Sequence, residues 1–157
     1  MSLRLEDIER IKQLQYRYYR SADTGDLVEV ARCFTTKASV AWIGGSYRVE
    51  LTGREAIVGA LRAMLHAELA IIHTAHHPEI TVHSAEAAEG IWYQTDWTLH
   101  LKNKTVTQGA CLARMTYQRE EGVWRIAHYG YTRIYEQVEP LDQLPQITAH
   151  ALGTPHA

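Results

Sequence analysis

The stretch Ile72-His73-Thr74-Ala75-His76-His77-Pro78-Glu79-Ile80 carries three imidazoles where a helical pattern gives way to a strand-like one. Before it, apolar residues recur at helical spacing; after it, strand-like segments follow one another to residue 135. An imidazole in an apolar pocket can act as a general base when a carboxylate orients it. Asp23, near the end of the first predicted helix, is the candidate partner of His73.

Three helices are predicted from apolar spacing and from their start signals. Apolar residues three or four apart indicate an amphipathic helix over residues 5–22. Asp26 opens a second, short helix, with Glu29 three residues later as a capping box. A second capping box, at residues 52–55, starts a third helix that is predicted to run to about residue 70.

The strands are predicted from alternation and turn residues. A Gly-Gly-Ser turn between two strand-like runs predicts a hairpin. The remaining strand-like segments, separated by short turns, are 79–83, 87–101, 105–119 and 123–135. Long antiparallel strands with short turns form a curved sheet, whose concave face only the three helices can cover. The predicted class is therefore α+β, with one domain over residues 1–136 and an irregular tail over 137–157.

Composition excludes several classes of protein. A chain of 157 residues with 46% hydrophobic residues suits one domain with one core. The formal charge of −2 is spread without blocks, which argues against binding to nucleic acid or to an anionic membrane. Cys33 and Cys111 are isolated, as is usual for reduced thiols, and no apolar signal or membrane-spanning run is present. We therefore expect a soluble, cytoplasmic protein.

The order of elements is similar to the cone-shaped nuclear-transport-factor-2-like fold, and several short motifs resemble its SnoaL-like branch. Tyr18-Tyr19-Arg20-Ser21-Ala22-Asp23-Thr24-Gly25-Asp26 resembles the end of the first helix in that branch. The histidine-containing stretch follows the branch pattern too, as do Gly90-Ile91-Trp92, Trp124-Arg125-Ile126 and Thr132-Arg133. The resemblance covers about residues 5–136.

The resemblance implies a cofactor-independent elimination site. In eliminating members of the branch, an Asp–His pair at the positions of Asp23 and His73 removes a proton. The residue at the position of Tyr18 assists the departing group, so Tyr18 is expected to donate to a leaving oxygen. Tyr129 stands where a dehydrochlorinase of the branch has a cavity arginine, which favours loss of water or enolisation-driven cyclisation over halide elimination. Relatives form dimers or trimers, so a homodimer or homotrimer is expected.

Each of these residues also has a purely structural interpretation. A histidine after a helix is often a capping or surface residue, and aspartate is favoured in turns, so His73 and Asp23 need not be catalytic. Tyr18 lies on the apolar stripe of its helix and could simply pack. His76 could be a second cavity group or could cap the following strand. The histidine cluster lacks the further histidine or cysteine pair that a zinc site requires, so no metal is predicted.

Aromatic residues on the predicted strands are candidates for a cavity lining that would bind a flat or polycyclic apolar ligand. They are Trp42, Trp92, Tyr129 and Tyr131. Asp96 shares a strand face with Trp92 and is either a polar cavity group or a surface carboxylate.

These observations lead to one principal hypothesis and two alternatives. The chain is expected to be a cofactor-independent lyase (dehydratase) or cyclase that acts through an Asp–His base. Its expected substrate is an aromatic, polyketide-like or terpenoid carbonyl compound. The alternatives are a non-catalytic small-molecule-binding or assembly domain on the same fold, and a metal-free polyketide hydroxylase or isomerase. The sequence does not separate dehydration from cyclisation, isomerisation or oxygenation.

Overall fold

The computed structural model describes residues 4–153, which form three α-helices, six strands and a final 3-10 turn. No helix in this part of the chain is long and apolar enough to cross a membrane. In chain order the elements are α1 Leu5–Thr24, α2 Leu27–Cys33, β1 Phe34–Ile43, β2 Arg48–Thr52, α3 Arg54–Met64, β3 Leu69–Val82, β4 Ala87–His100, β5 Thr105–Glu120, β6 Val123–Pro140 and the 3-10 turn Ala151–Gly153.

Helix α1 buries the stripe that its apolar spacing predicts. Ile11, Leu14, Tyr18 and Ala22 all lie in the core. The helix ends because Gly25 takes a left-handed conformation, with φ of 76°, and its N–H bonds back to carbonyl oxygens of the last turn. The helix consequently extends to Thr24, which places Asp23 in its final turn.

The helix starts are only partly as predicted. The carboxylate of Asp26 accepts a hydrogen bond from the backbone N–H of Glu29 at 3.0 Å, so Asp26 caps α2 as predicted. The reciprocal half of the capping box is wrong, because the N–H of Asp26 donates to the carbonyl oxygen of Ser21 at 2.8 Å. The second capping box is wrong, because Gly53 precedes α3 and supplies no capping side chain. Instead, Arg54 anchors this helix by donating to the carbonyl oxygen of Phe34 at 3.0 Å and to Glu120 at 2.8 Å.

The six strands form one open sheet in the order β2-β1-β6-β5-β4-β3. The predicted α+β class, with a curved sheet around three helices, is confirmed. The sheet is mixed rather than wholly antiparallel, because β1 runs parallel to β6 while the other neighbours are antiparallel. After the β1–β2 hairpin the chain crosses through α3 to the far edge, and the β3–β6 meander then brings its last strand beside β1.

The boundary between α3 and β3 differs from the predicted one. Helix α3 ends at Met64 rather than near residue 70, and Leu65 already has an extended backbone. Leu69 and Ala70 pair with His100 and Leu99 of β4, so pairing with the sheet outweighs the helical spacing of Leu65 and Leu69. His73 therefore lies inside an edge strand and not at a helix–strand junction.

Strand β3 also contains an irregularity next to its histidines. The register with β4 shifts between His76 and Glu79, and His77 has a positive φ of 29° at this point. Pro78 lies within the shift, where its missing N–H costs no ladder hydrogen bond.

The last strand is longer than predicted. Strand β6 continues to Pro140, which pairs with Thr105, so the sheet extends four residues beyond the predicted domain end at residue 136. Residues 141–150 have no regular helix or strand, and they return towards the domain, where His150 Nε2 lies 3.0 Å from the carbonyl oxygen of Ala67. Residues 154–157 of the predicted tail lie outside the described part of the chain.

Candidate functional site

Asp23 and His73 meet at the junction of α1 and β3. One carboxylate oxygen of Asp23 lies 2.5 Å from Nδ1 of His73, and the other accepts the backbone N–H of His73 at 2.9 Å. A carboxylate can only accept, so Nδ1 carries the hydrogen and Nε2 is left as a base. The side chains are 17% and 27% exposed, which leaves the imidazole accessible while excluding most water.

Tyr19 fixes the plane of this imidazole. Its ring stacks on that of His73, with centroids 5.2 Å apart and planes inclined by 17°. The Tyr19 hydroxyl lies 3.0 Å from that of Tyr129, which in turn donates to the side-chain carbonyl of Gln94 at 2.8 Å. Burial raises the pKa of both phenols well above the usual value, so both stay protonated.

His73 lines a cavity of about 410 Å³ between the concave face of β3–β6 and the end of α3. Of the predicted site residues, Asp96, Tyr129 and Tyr131 also line it. The other lining residues are Tyr47, Met64, Leu65, His66, Leu69, Ile71, Gln94, Thr95, Thr98, His100, Thr107, Cys111 and Arg133. The volume and the mixture of apolar and polar groups suit a small organic molecule.

Five of the predicted site residues lie outside this lining: Asp23, Tyr18, His76, Trp42 and Trp92. Asp23 acts at the cavity only through its contact with His73. Trp92 is 1% exposed and donates its indole N–H to Tyr117 at 2.8 Å, which makes it a core residue. Trp42 packs edge-on against Tyr129 with ring centroids 5.9 Å apart. Tyr18 also packs against the ring of Tyr129, with centroids 5.8 Å apart. Trp42 and Tyr18 therefore support a cavity residue instead of lining the cavity.

His76 lies on the outer face of the sheet. Side chains alternate along a strand, so residues 74 and 76 point away from the face that carries His73. Nε2 of His76 lies 3.1 Å from the hydroxyl of Thr74 and 3.3 Å from that of Thr95, and the side chain is exposed. The structure does not bring it to the cavity.

Arg133 is a cavity residue that the sequence argument passed over. Its guanidinium forms ion pairs with Asp96 and Glu136 and donates to the Tyr47 hydroxyl at 3.2 Å. An arginine of the last strand thus does reach the cavity, four residues beyond Tyr129. The signal was present, because residues 129, 131 and 133 fall on one face of a regular strand.

Space for this guanidinium comes from Gly109 on the neighbouring strand. A Cβ on Gly109 would lie 2.5 Å from the carbonyl oxygen of Tyr135 and 3.3 Å from Nη1 of Arg133. Gly109 pairs with Asp96 across β4 and β5, so its lack of a side chain lets Arg133 reach that carboxylate.

Gln94 and Cys111 complete the polar part of the lining. The Gln94 carbonyl accepts from Tyr129 and from the Cys111 thiol, the latter at 3.4 Å. Burial raises the pKa of Cys111 to about 12, although Arg133 opposes this. Cys111 is therefore a neutral thiol at physiological pH and not a nucleophile. The sequence signal for Gln94 was its position two residues before Asp96 on the same strand face.

Metal-ligating side chains are dispersed in this structure. Within residues 4–153, no three or more histidine, cysteine, aspartate or glutamate side chains form a group that could hold a metal ion.

The sheet, the helices and the cavity between them define a nuclear-transport-factor-2-like domain, a fold of the small-molecule-binding type. The chain belongs to the SnoaL-like domain family, whose profile matches residues 3–130.

Solved structures with the same fold are distant in sequence. A protein from Novosphingobium aromaticivorans DSM 12444, provisionally named a scytalone dehydratase, is 15% identical with a TM-score of 0.77, over 90% of this chain and 97% of that one. The hexachlorocyclohexane dehydrochlorinase LinA-type3 from Novosphingobium barchaimii LL02 is 17% identical with a TM-score of 0.73, over 93% and 97%. ActVI-ORFA from Streptomyces coelicolor is 17% identical with a TM-score of 0.66, over 81% and 96%. At these identities the likeness shows the fold alone.

Replacing Asp23 by Asn should release the imidazole from a single tautomer. An amide oxygen accepts from the backbone N–H or from Nδ1, and its NH₂ group can donate to Nδ1 instead. Nitrogen-15 NMR of the side chain should show His73 with hydrogen on Nδ1 in the wild type and a mixture of tautomers in Asp23→Asn. His128, which is bonded through Nδ1 to Ser39 at 2.7 Å, serves as the internal control. An unchanged His73 spectrum would show that Asp23 does not set the tautomer.

The buried Cys111 thiol predicts a loss of stability in alkali. Its pKa is raised from 9.0 to about 12, so between these pH values the thiol ionises in the unfolded chain and stays neutral in the folded one. Its contribution to the free energy of unfolding is therefore complete below pH 9 and is lost as the pH rises towards 12. Above pH 9, the free energy of unfolding of the wild type should fall by about 1 kcal/mol per pH unit relative to Cys111→Ala. Denaturant titrations at several pH values measure this difference, and parallel curves for the two proteins would contradict it.

Proposed function

We propose that this protein is a cofactor-independent lyase of the dehydratase type, or a cyclase, that acts on an uncharged carbonyl compound with an aromatic, polyketide-like or terpenoid skeleton. The observation that carries the proposal is the contact between Asp23 and His73 beside a cavity of about 410 Å³. A base oriented by a carboxylate in a partly apolar cavity is the arrangement that proton abstraction next to a carbonyl uses.

In the proposed reaction, Nε2 of His73 takes a proton from the carbon next to the carbonyl. The electron pair of the broken C–H bond forms the enolate double bond, and charge develops on the carbonyl oxygen. The imidazolium that results is stabilised by the Asp23 carboxylate, which already accepts the Nδ1 hydrogen. A base positioned in this way contributes a factor of about 10²–10⁴ to the rate.

The charges around the cavity favour a neutral substrate. Arg133 is the cation of the lining, and its charge is offset by Asp96 and Glu136. Asp23 adds a further negative charge beside the base. Among the described residues, an anionic substrate would therefore find no arginine or lysine of the lining free to pair with, and its transfer from water would be costly. The same pairing disfavours stabilisation of a departing halide by Arg133.

The competing proposal is a non-catalytic binding domain with the same cavity. A domain that only binds a ligand has no need for a carboxylate bonded to both donors of one histidine. We therefore favour catalysis. We also propose a cytoplasmic protein, because Cys33 and Cys111 are both buried and unpaired.

Hydrogen exchange on a carbon acid tests the base directly. The probe is 2-tetralone, a neutral bicyclic aromatic ketone, in D₂O at neutral pD with proton NMR detection. The wild type should accelerate exchange of the hydrogens next to the carbonyl, and His73→Gln should lose about 10²–10⁴-fold of that rate. His83→Gln is the matched control, because that histidine is exposed at the surface, 3.5 Å from Glu89. Binding of the ketone without exchange would favour the non-catalytic binding domain. The absence of both binding and exchange would refute both proposals.

We further propose that the protein forms a homodimer or homotrimer through the outer face of the sheet. This face exposes apolar side chains on three strands, among them Ile72, Trp97 and Tyr135, which together border a shallow groove. Helices cover only the opposite face, and exposed apolar patches of this kind mark association sites.

Sedimentation at micromolar concentration tests the association. The wild type should sediment as a dimer or trimer, and Trp97→Asp should shift it to the monomer, because the charge would be buried in the contact. Val123→Asp is the control, since that residue is exposed in the turn region between β5 and β6. A monomeric wild type would refute this assignment of the outer face.

A further inference from the structure

The hydroxyl hydrogens of the cavity tyrosines can be assigned from their hydrogen bonds. Tyr129 donates its hydrogen to Gln94, so the hydroxyl of Tyr19, 3.0 Å away, must supply the hydrogen between the two phenols. Both hydrogens of this pair are committed. Neither Tyr19 nor Tyr129 has one left for a ligand, although Tyr129 lines the cavity.

Tyr47 and Tyr131 form a second pair, which uses only one of its two hydroxyl hydrogens internally. Their oxygens lie 2.5 Å apart, and Arg133 donates to the Tyr47 oxygen at 3.2 Å. A guanidinium has donors only, so it takes up neither phenolic hydrogen. One hydrogen joins the two oxygens, and the described residues supply no acceptor for the other. Both tyrosines line the cavity, so this hydrogen is available to a ligand.

The position of Arg133 explains how this pair is held. Asp96 fixes one side of the guanidinium, and Glu136 accepts from Nε at 2.8 Å, so the group is fixed and cannot turn towards a ligand. Its remaining contact places positive charge beside the Tyr47 oxygen. A donor to one hydroxyl polarises the next along a chain of hydrogen bonds, which strengthens the last donor.

Both phenols remain neutral donors at physiological pH. Burial raises the pKa of Tyr47, with the bond to Tyr131 and the charge of Arg133 opposing this. Burial also raises the pKa of Tyr131, and proximity to Tyr47 adds to the effect.

A series of neighbouring residues connects this pair to the base. His73 lies opposite Asp96 in the β3–β4 register, Asp96 pairs with Arg133, and Arg133 bonds to Tyr47. The proton acceptor on β3 and the free phenolic hydrogen, on β6 or in the β1–β2 turn, therefore face one cavity.

We propose that the Tyr47–Tyr131 pair is the hydrogen-bond donor to the substrate's carbonyl oxygen, in the place that the sequence suggested for Tyr18. The inference rests on the proposed function, because it assigns the partner of the His73 base. As His73 takes the proton, the electrons of the broken C–H bond form a C=C bond and the former carbonyl electrons move to oxygen. The phenolic hydrogen bond stabilises that oxygen. In a dehydration, the enolate electrons then re-form the C=O bond and place the C=C bond between the α- and β-carbons. The β-carbon–oxygen bond breaks with its electron pair on oxygen, and the hydroxide leaves as water with the proton from His73.

The carbonyl stretch of bound 2-tetralone tests the donor without requiring turnover. A hydrogen bond moves this infrared band to lower frequency than in an apolar solvent. The band should be shifted in the wild type and in either single variant, Tyr47→Phe or Tyr131→Phe, because each keeps one uncommitted hydrogen. It should return to its apolar-solvent position only in the double variant. Tyr16→Phe, on α1 and 47% exposed, is the matched control, because Tyr16 lines neither the cavity nor the groove on the outer face.

Exchange kinetics separate the donor from the base. The double variant should lose about 10²–10³-fold in the exchange rate, as for removal of an oxyanion donor. His73→Gln should lose exchange and keep the shifted carbonyl band. If the wild type shifts the carbonyl band but does not catalyse exchange, the assignment of His73 as the base is refuted and the assignment of the donor pair stands.

Three results would overturn the donor assignment. They are a band that stays shifted in the folded double variant, a wild type that leaves the band unshifted or fails to bind millimolar 2-tetralone, and loss of the shift in Tyr18→Phe. The last would return the role to Tyr18.

Discussion

The contact between Asp23 and His73 is the constraint on which the site depends, and it is costly for the helix that supplies it. Asp23 lies in the last turn of α1, where no basic residue is present. A carboxylate at the negative end of a helix dipole is unfavourable by about 0.3–1 kcal/mol. Two hydrogen bonds from His73 offset this cost. A residue that is unfavourable in its own helix but is stabilised by a residue distant in sequence is typical of a functional site.

This contact also determines where the cavity lies. By tying the end of α1 to β3, it fixes how much of the concave face the helix covers. Tyr16 of α1 packs edge-on against Trp92, with ring centroids 6.5 Å apart, so that end of the sheet is filled. The opposite end, towards Asp96 and His100, is left open to form the cavity. One sheet face thus serves partly as core and partly as binding surface.

That division explains what the sequence could and could not predict. Apolar spacing identified the stripe of α1, and the resemblance paired Asp23 with His73. Alternation correctly placed Trp92 on the same face as Asp96, but it cannot tell which part of that face a helix covers. The end of α3 was missed because Leu65 and Leu69 continue the helical spacing, while pairing with β4 from Leu69 onwards decides the conformation. Arg133 was missed because the resemblance was taken to place Tyr129 at the position of the cavity arginine, whereas β6 carries both residues on the face that lines the cavity.

The irregular region at residues 76–79 affects how this sheet can meet other chains. Strand β3 is an outer edge, and a regular edge of 14 residues would offer a row of unpaired backbone groups to another strand. The register shift, the positive φ of His77 and the ring of Pro78 interrupt that row. The other edge, β2, has only five residues. Addition of further strands is therefore obstructed at both edges of the sheet. His73 can consequently lie on an edge strand without making that edge a template for aggregation.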